Sequence, residues 1–394
     1  MKTVGIICEY NPLHLGHVAH IEKTGQILGD DIAVICVMSG NFVQRGDFAV
    51  FNKHARAKMA ILSGADIVIE LPTPFVLMSA EGFASAGVYL LDKLGICDYL
   101  SFGSESGDID LLSGAANIIA SDNAHIIAKN WLDKGISYAS AYQKAADALL
   151  GIHADVFKSP NNVLGIEYIK AIGKLNSKIQ PITIQRTGGE HDGDFGYSAS
   201  LLRKKFLSGS VPVELMSDFV AAVCTEEITA GRGPVSYKNA ELAILSRLRK
   251  LNDYSDLPCA TEGLEQRFKR FATTETSVAS IVEKVKTKRY TMSRIRRMLM
   301  CATLGIKDED TKLPPPYIRI LAMNNVGMKL LKRTDKKAPL PILIKPAAVH
   351  KLGDEAVKSF NIEAFATDFY TLAYQKREMR TGAQEWRTSP VIIK

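Results

Sequence analysis

Cysteine is sparse in this chain, and what there is does not cluster. The six residues Cys8, Cys36, Cys97, Cys224, Cys259 and Cys301 are scattered, with no Cys-x-x-Cys pair, and several lie in apolar runs where a free thiol behaves as a small hydrophobe. Long apolar runs are missing too, and no stretch approaches the ~20 residues that a membrane span needs. The first residues, Met1-Lys2-Thr3, run straight into an apolar stretch with no basic leader or cleavage site. Internal repeats and low-complexity tails are lacking. Together these absences predict a reduced, cytoplasmic, globular protein without a membrane partner. Its length suffices for two domains.

Charge is present but unevenly placed. Residues 1–150 hold 10 Lys/Arg against 16 Asp/Glu, whereas residues 235–345 hold 23 against 11. Such asymmetry points to a polyanion bound by the second half. Arg267, Lys269, Arg270, Lys284, Lys286, Lys288, Arg289, Arg294, Arg296 and Arg297 fall in one stretch opposed by Glu275 and Glu283 alone. Lys286, Lys288, Arg289, Arg294, Arg296 and Arg297 are the candidate nucleic-acid contacts, the alternative being a solvated basic face.

Hydrophobic periodicity divides the chain. Apolar runs at Val4–Cys8, Ile32–Val37, Ile67–Leu71, Tyr99–Phe102 and Ile182–Gln185 read as strands, with helical stretches over 17–28, 52–63 and 80–94 between the first four. Continuous apolar strands separated by helices predict a Rossmann-like α/β domain whose parallel sheet is covered on both faces. Another helix is expected from Ser159-Pro160, with Ser as N-cap. Past about residue 210 the spacing becomes helical, with Leu242, Leu245 and Leu248 on one face. The expectation is therefore an α/β domain over 1–210 and a mostly helical basic domain over 211–394, with short strands near 317–322 and 341–344.

The strongest motif follows the first strand: Glu9-Tyr10-Asn11-Pro12-Leu13-His14-Leu15-Gly16-His17. It places a strand, a Pro-broken turn and two histidines at the first turn of a helix. A helix N-terminus favours phosphate, and imidazoles there can steady charge building at phosphorus. His14 and His17 are the candidate catalytic pair. The other readings are metal ligands, which lack a third residue at zinc spacing, and ordinary loop residues. Ser39-Gly40-Asn41-Phe42-Val43-Gln44-Arg45-Gly46 follows the second strand, its glycines allowing close backbone approach and its Arg45 a phosphate or carboxylate contact. Glu70, alone in an apolar strand, needs a partner if buried. Gly103, after the fourth strand, leaves room for adenine or ribose. After the fifth, Arg186 opens a loop over 187–194, expected to be mobile and to bring Arg186 to a triphosphate. Ser198-Ala199-Ser200 with Arg203 then reads as a second phosphate cradle or simply a capped helix.

The His-x-Gly-His pattern resembles that of the nucleotidyltransferase and class I tRNA-synthetase superfamily. With Ser39-Gly40-Asn41-Phe42, Gln44-Arg45-Gly46, Glu70-Leu71-Pro72, Phe102-Gly103-Ser104-Glu105, Ser159–Gly165, Arg186 and Tyr317–Ala322 in order, the chain resembles the bacterial tRNA(Met) cytidine acetate ligase family over most of its length. The resemblance implies ATP-dependent formation of acetyl-adenylate and acetyl transfer to N4 of the wobble cytidine of elongator tRNA(Met), with Mg²⁺ as the partner of ATP. It implies an ATP site on Ile7, Cys8, Glu9, Tyr10, Asn11, Pro12, Leu13, His14, Leu15, Gly16, His17, Val18, Ala19 and His20, with Gly103, either Asn161 or Asn162, and Arg186. Ser198 and Ser200 stand in the later cradle, where the superfamily's usual Ser-Ser-Thr is Ser198-Ala199-Ser200. A small-molecule nucleotidyltransferase making a dinucleotide cofactor would explain the motif but leave the basic half idle. A non-enzymatic RNA-binding protein would explain only the charge.

Overall fold

The five apolar stretches form strands β1 (Lys2–Cys8), β2 (Ile32–Ser39), β3 (Ile67–Leu71), β4 (Tyr99–Ser104) and β5 (Gln180–Gln185). In the computed structural model, which describes every residue except Gly135, Ser137, 187–198 and 335–337, they run parallel in the order β3-β2-β1-β4-β5. Their unbroken hydrophobicity follows from burial on both faces. Ile35, Val37 and Ile69 enter one core and Val34, Cys36 and Val68 another. Helices α1 (Leu15–Leu28), α2 (Lys53–Leu62), α3 (Ala80–Leu94) and α4 (Pro160–Lys174) cover the sheet.

Local signals set the helix starts. Asn52 caps α2 by accepting the Ala55 N–H at 2.9 Å. Ser159 occupies the N-cap of α4 as expected, yet its hydroxyl makes no capping bond. A Glu105 carboxylate oxygen instead accepts the Asn162 N–H at 2.9 Å. The strand order reverses between β1 and β4, and in such sheets ligands bind beyond the carboxyl ends of the strands at that switch point.

The second half of the chain returns to this sheet. Strand β6 (Ile318–Asn324) pairs antiparallel with β3, and β7 (Ile342–Leu343) and β8 (Val391–Ile393) pair parallel with β6, giving eight strands among the described residues. A hairpin from the first half does the reverse. Its strands Phe42–Val43 and Asp47–Phe48 carry Phe42 and Phe48 into the helical core. Phe48 stacks on Tyr370 at 5.8 Å, and the Tyr370 hydroxyl donates to the Ala49 carbonyl at 2.8 Å. A division at residue 210 is thus crossed in both directions, because the edge of β3 and the aromatic hairpin each need a cover that lies far away in sequence.

The helical segment includes α5 (Ala199–Leu207), α6 (Glu241–Lys250), α7 (Val278–Val285), α8 (Met292–Leu304) and α9 (Asp354–Thr371). The expected leucine face of α6 is corrected at one position. Leu242 is 82% exposed while Ile244, Leu245 and Leu248 are buried, since repeated steps of three drift around a 3.6-residue helix and steps of three and four do not.

Candidate active site

The turn after β1 delivers His14 to the N-cap of α1 in an extended conformation. Its Nδ1 accepts the Gly16 N–H at 3.1 Å, and the Nδ1 of His17 accepts the His14 N–H at 3.2 Å. This reciprocal cap is the arrangement that a Ser and a Glu make elsewhere. The two rings stack at 3.8 Å, with the edge of Tyr10 against His17 at 4.9 Å. Gly16 is required to make room, since a Cβ there would approach the His14 ring to 3.0 Å.

Protonation follows from this geometry. Burial, with Arg186 and Arg203 nearby, lowers His14 to about 4. Burial, then His14, His20 and Arg186, holds His17 well below the ordinary imidazole range. Both rings are neutral at pH 7, and with each Nδ1 accepting a backbone N–H, the ring proton sits on Nε2. Neither Nε2 has a partner among the described residues, so the pair presents two N–H donors at the switch point. His20 differs. Burial, then Arg186, lowers it to about 4, and its Nε2 is already engaged with the Ser101 hydroxyl of β4 at 2.9 Å.

Cations surround the pair. Arg186 follows β5, its N–H donating to the Ser104 carbonyl at 2.9 Å. Its stem lies over Gly103, where a Cβ would come within 3.2 Å of Arg186 Cγ, so the space beside that glycine is shared with an arginine. Arg203 of α5 donates to the Asn11 carbonyl at 2.9 Å, which sets the later helix beside the first. Ser200 is exposed at the start of α5. Ser198 and the loop 187–194 lie outside the described residues. Within the motif, Ile7, Tyr10 and Leu13 are core residues and Asn11 is buried, its side-chain oxygen accepting the Val50 N–H at 2.8 Å. Pro12 is buried; Cys8, Leu15, Val18 and Ala19 are half-buried. Burial raises the Glu9 carboxyl, and the Gln44 N–H, donating at 2.6 Å, draws it back together with Arg56, Arg45 and Arg203.

Comparison with known proteins decides what this arrangement belongs to. A HIGH Nucleotidyl Transferase family profile matches residues 1–385. The tRNA(Met) cytidine acetate ligase of Acetivibrio thermocellus is 36% identical over 418 aligned positions, covering all of both chains. That of Caldicellulosiruptor saccharolyticus is 40% identical, covering 100% of this chain and 99% of its own. The crystal structure of Thermotoga maritima TmcAL bound with alpha-thio ATP superposes with a TM-score of 0.93 at 32% identity over the full length of both, and its apo form with 0.94. The chain belongs to the tRNA(Met) cytidine acetate ligase family.

For a member of this ligase family, the asparagine pair separates into two roles. Asn162 is 4% exposed, and its side-chain oxygen accepts the N–H groups of Glu105 and Ser106 at 2.9 and 3.1 Å. Asn161 is half-buried and donates to Glu105 at 2.7 Å. The glycines of the loop after β2 meet protein: a Cβ on Gly40 would lie 2.7 Å from a Glu70 oxygen, and one on Gly46 would strike the backbone of α8.

Arg56 was not legible as a site residue. Fully buried, it donates to the carbonyls of Phe51 and Ser39, each at 3.0 Å, and to those of Glu9 and Gly40. It thereby ties the loops after β1 and β2 together. The overlooked signal is that Lys53, His54 and Arg56 crowd the first turn of α2, where cations oppose the helix dipole and imply partners elsewhere.

The basic stretch divides as well. Lys286, Lys288 and Arg289 are exposed. Arg296 is half-buried, Arg294 bonds Glu262 at 2.7 Å, and Arg297 is 8% exposed. Two of the six candidate contacts are thus turned inward, because charge counted along a helix does not say which face is covered. No described helix is long and apolar enough to cross a membrane.

Proposed function

We propose that the protein condenses acetate with ATP to acetyl-adenylate and then acetylates N4 of the wobble cytidine of elongator tRNA(Met) in the cytoplasm. The observation that carries this reading is the neutral His14–His17 pair, two Nε2–H donors at a helix N-terminus on the switch point, in a chain that aligns end to end with an ATP-analogue-bound relative. An acetate oxygen attacks the α-phosphorus and pyrophosphate departs. The two imidazoles donate to the non-bridging oxygens as negative charge builds there, without having to lose a proton. Arg186 and Arg203 balance the departing phosphates, and Asn161, less buried than Asn162, is the choice for the nucleoside contact. Cytidine N4 then attacks the acetyl carbonyl, AMP leaves, and N4 gives up a proton. N4 is a weak nucleophile, so positioning supplies much of the rate.

Among the described residues no group of three or more His, Cys, Asp or Glu could cage a metal. Mg²⁺ is proposed as the triphosphate's own partner, the usual mode for this ion. The exposed Lys286, Lys288 and Arg289 are the first choice for RNA phosphates.

Mass spectrometry of tRNA incubated with labelled acetate and ATP, or with labelled acetyl-CoA alone, tests the reading. Label is expected from acetate only, with acetate-dependent pyrophosphate release persisting without tRNA. Label from acetyl-CoA without ATP would overturn the mechanism. Label from neither donor would favour a cofactor-making nucleotidyltransferase.

A further inference from the structure

Where the hairpin 42–48 meets α7 and α8 there is a cavity of ≈ 390 Å³, within the range of about 300–1,000 Å³ usual for small-molecule sites. Its floor is apolar, with Val282 and Leu299 at 6% and 1% exposure. Tyr237 and Asp47 line it, and Lys286 and Arg296 join them, with Glu283 the one further acid. The hairpin forms its wall by direct backbone contact. Gly46 has φ +73, and a Cβ there would fall 2.4 Å from the α8 backbone between Arg296 and Arg297.

That wall has a second side. Arg203, which bonds the histidine-bearing turn at Asn11, is in electrostatic contact with Arg45, Glu9 and Asp47. Within the same hairpin the Gln44 N–H donates to Glu9 at 2.6 Å, so the wall of the cavity also abuts the segment that carries His14 and His17. One wall residue, Asp47, is oriented by accepting the Phe48 N–H on Oδ1 at 2.8 Å, which leaves Oδ2 as an acceptor.

We propose that this cavity receives one unpaired nucleotide of the RNA substrate, its base against Tyr237, an amino-bearing edge at Asp47 and its phosphate at Lys286 and Arg296. This rests on the RNA-acetylating reading above and adds to it a place for a base. The chemistry of each part is matched. An aromatic ring stacks on any base. A carboxylate accepts from an exocyclic amine such as cytosine N4 and repels the O4 carbonyl that uracil presents in its place. The apolar floor excludes water, and Lys286 continues into the exposed cations Lys288 and Arg289.

The test is a thermodynamic cycle. The affinity of an anticodon-arm RNA is measured by fluorescence anisotropy with each unpaired nucleotide replaced in turn by an abasic one, on the wild type and on Tyr237→Ala and Tyr237→Phe. One abasic position is expected to weaken wild-type binding by roughly tenfold, the scale of one stacked base. Tyr237→Ala should weaken the intact RNA similarly, and the two losses should not add. Tyr237→Phe should restore binding. Losses that add at every position, or no sensitive position at all, would overturn the proposal. Acetate-dependent pyrophosphate release without RNA should be unchanged in Tyr237→Ala. Failure of the wild type to release pyrophosphate would instead bring down the acetate-activating reading, leaving the cycle to judge the cavity.

Discussion

Two clusters of ionisable side chains sit at the carboxyl ends of the sheet, and they are finished in opposite ways. Beyond β1 and β4, His14 and His17 keep their Nδ1 atoms in the protein and leave Nε2 unpaired among the described residues. Beyond β2 and β3, the ionisable groups are paired with one another inside the protein. Lys53 bridges Glu70 at 2.6 Å and Glu385 at 2.7 Å, and Arg319 reaches Glu385 at 3.1 Å. Glu363 accepts the N–H and hydroxyl of Thr73 at 2.5 and 2.8 Å. None of these ionisable residues is more than 3% exposed. Burial pushes the Glu385 carboxyl up, yet Lys53 and Arg319 bring it down to about 2. Burial and then Glu70 push Glu363 up to about 8, a neutral acid at pH 7. The difference teaches where to look for chemistry. The second cluster is closed by α9, β6 and Glu385, whereas the first lies at the switch point where the strand order turns, its two Nε2 atoms unpaired among the described residues.

The largest effect should come from breaking the closed cluster. Lys53→Met strands Glu70 and Glu385, and removing one partner of a buried ion pair costs about 3–5 kcal/mol. Urea unfolding reads this directly, and a loss below ~1 kcal/mol, as for a surface pair, would erase the distinction drawn between the clusters. The open cluster should break in rate instead. His14→Asn keeps a capping acceptor but removes the Nε2–H, so acetate-dependent pyrophosphate release should fall roughly 10²-fold with the melting temperature nearly unchanged. A normal rate with a lowered melting temperature would reduce His14 to a helix cap.

The gentlest change, one without any substitution, is in pH. His14 and His20 stay neutral down to about 4, while the ordinary imidazole value is 6.5. Between these values the unfolded chain binds protons that the folded one refuses, so stability should fall as pH drops from about 6.5 towards 4. The slope is up to about 1.4 kcal/mol per pH unit for each buried imidazole. His14→Asn should remove about one proton from that slope and Lys53→Met should leave the His14 and His20 part intact. Equal slopes in wild type and His14→Asn would mean that His14 titrates normally.

The histidine motif was legible because its parts are local: an apolar strand, a Pro-broken turn and a helix start occupy neighbouring residues, and the reciprocal cap is built inside that segment. Glu70 was legible as a question, a charge in a buried strand that needed a partner, while the partner lay in α2 and a second carboxylate in a helix more than 300 residues away. Arg56 gave no signal of its four carbonyl partners beyond its awkward place near a helix N-terminus. The inward turn of Arg294 and Arg297 was hidden because a basic run looks alike on a covered and an uncovered face.

Sequence alone determined the alternation of strands and helices, the parallel sheet, the nucleotide motif and the basic second half, since each rests on periodicity, capping or charge within short windows. Tertiary structure alone decided that the chain crosses its own expected boundary, with β6 and β8 completing the sheet and Phe42 and Phe48 completing the helical core. It also decided which charges are closed off and which are left open. Burial of a sheet edge or of a carboxylate depends on what packs over it, and that cover comes from residues distant in the chain, where no local pattern reaches.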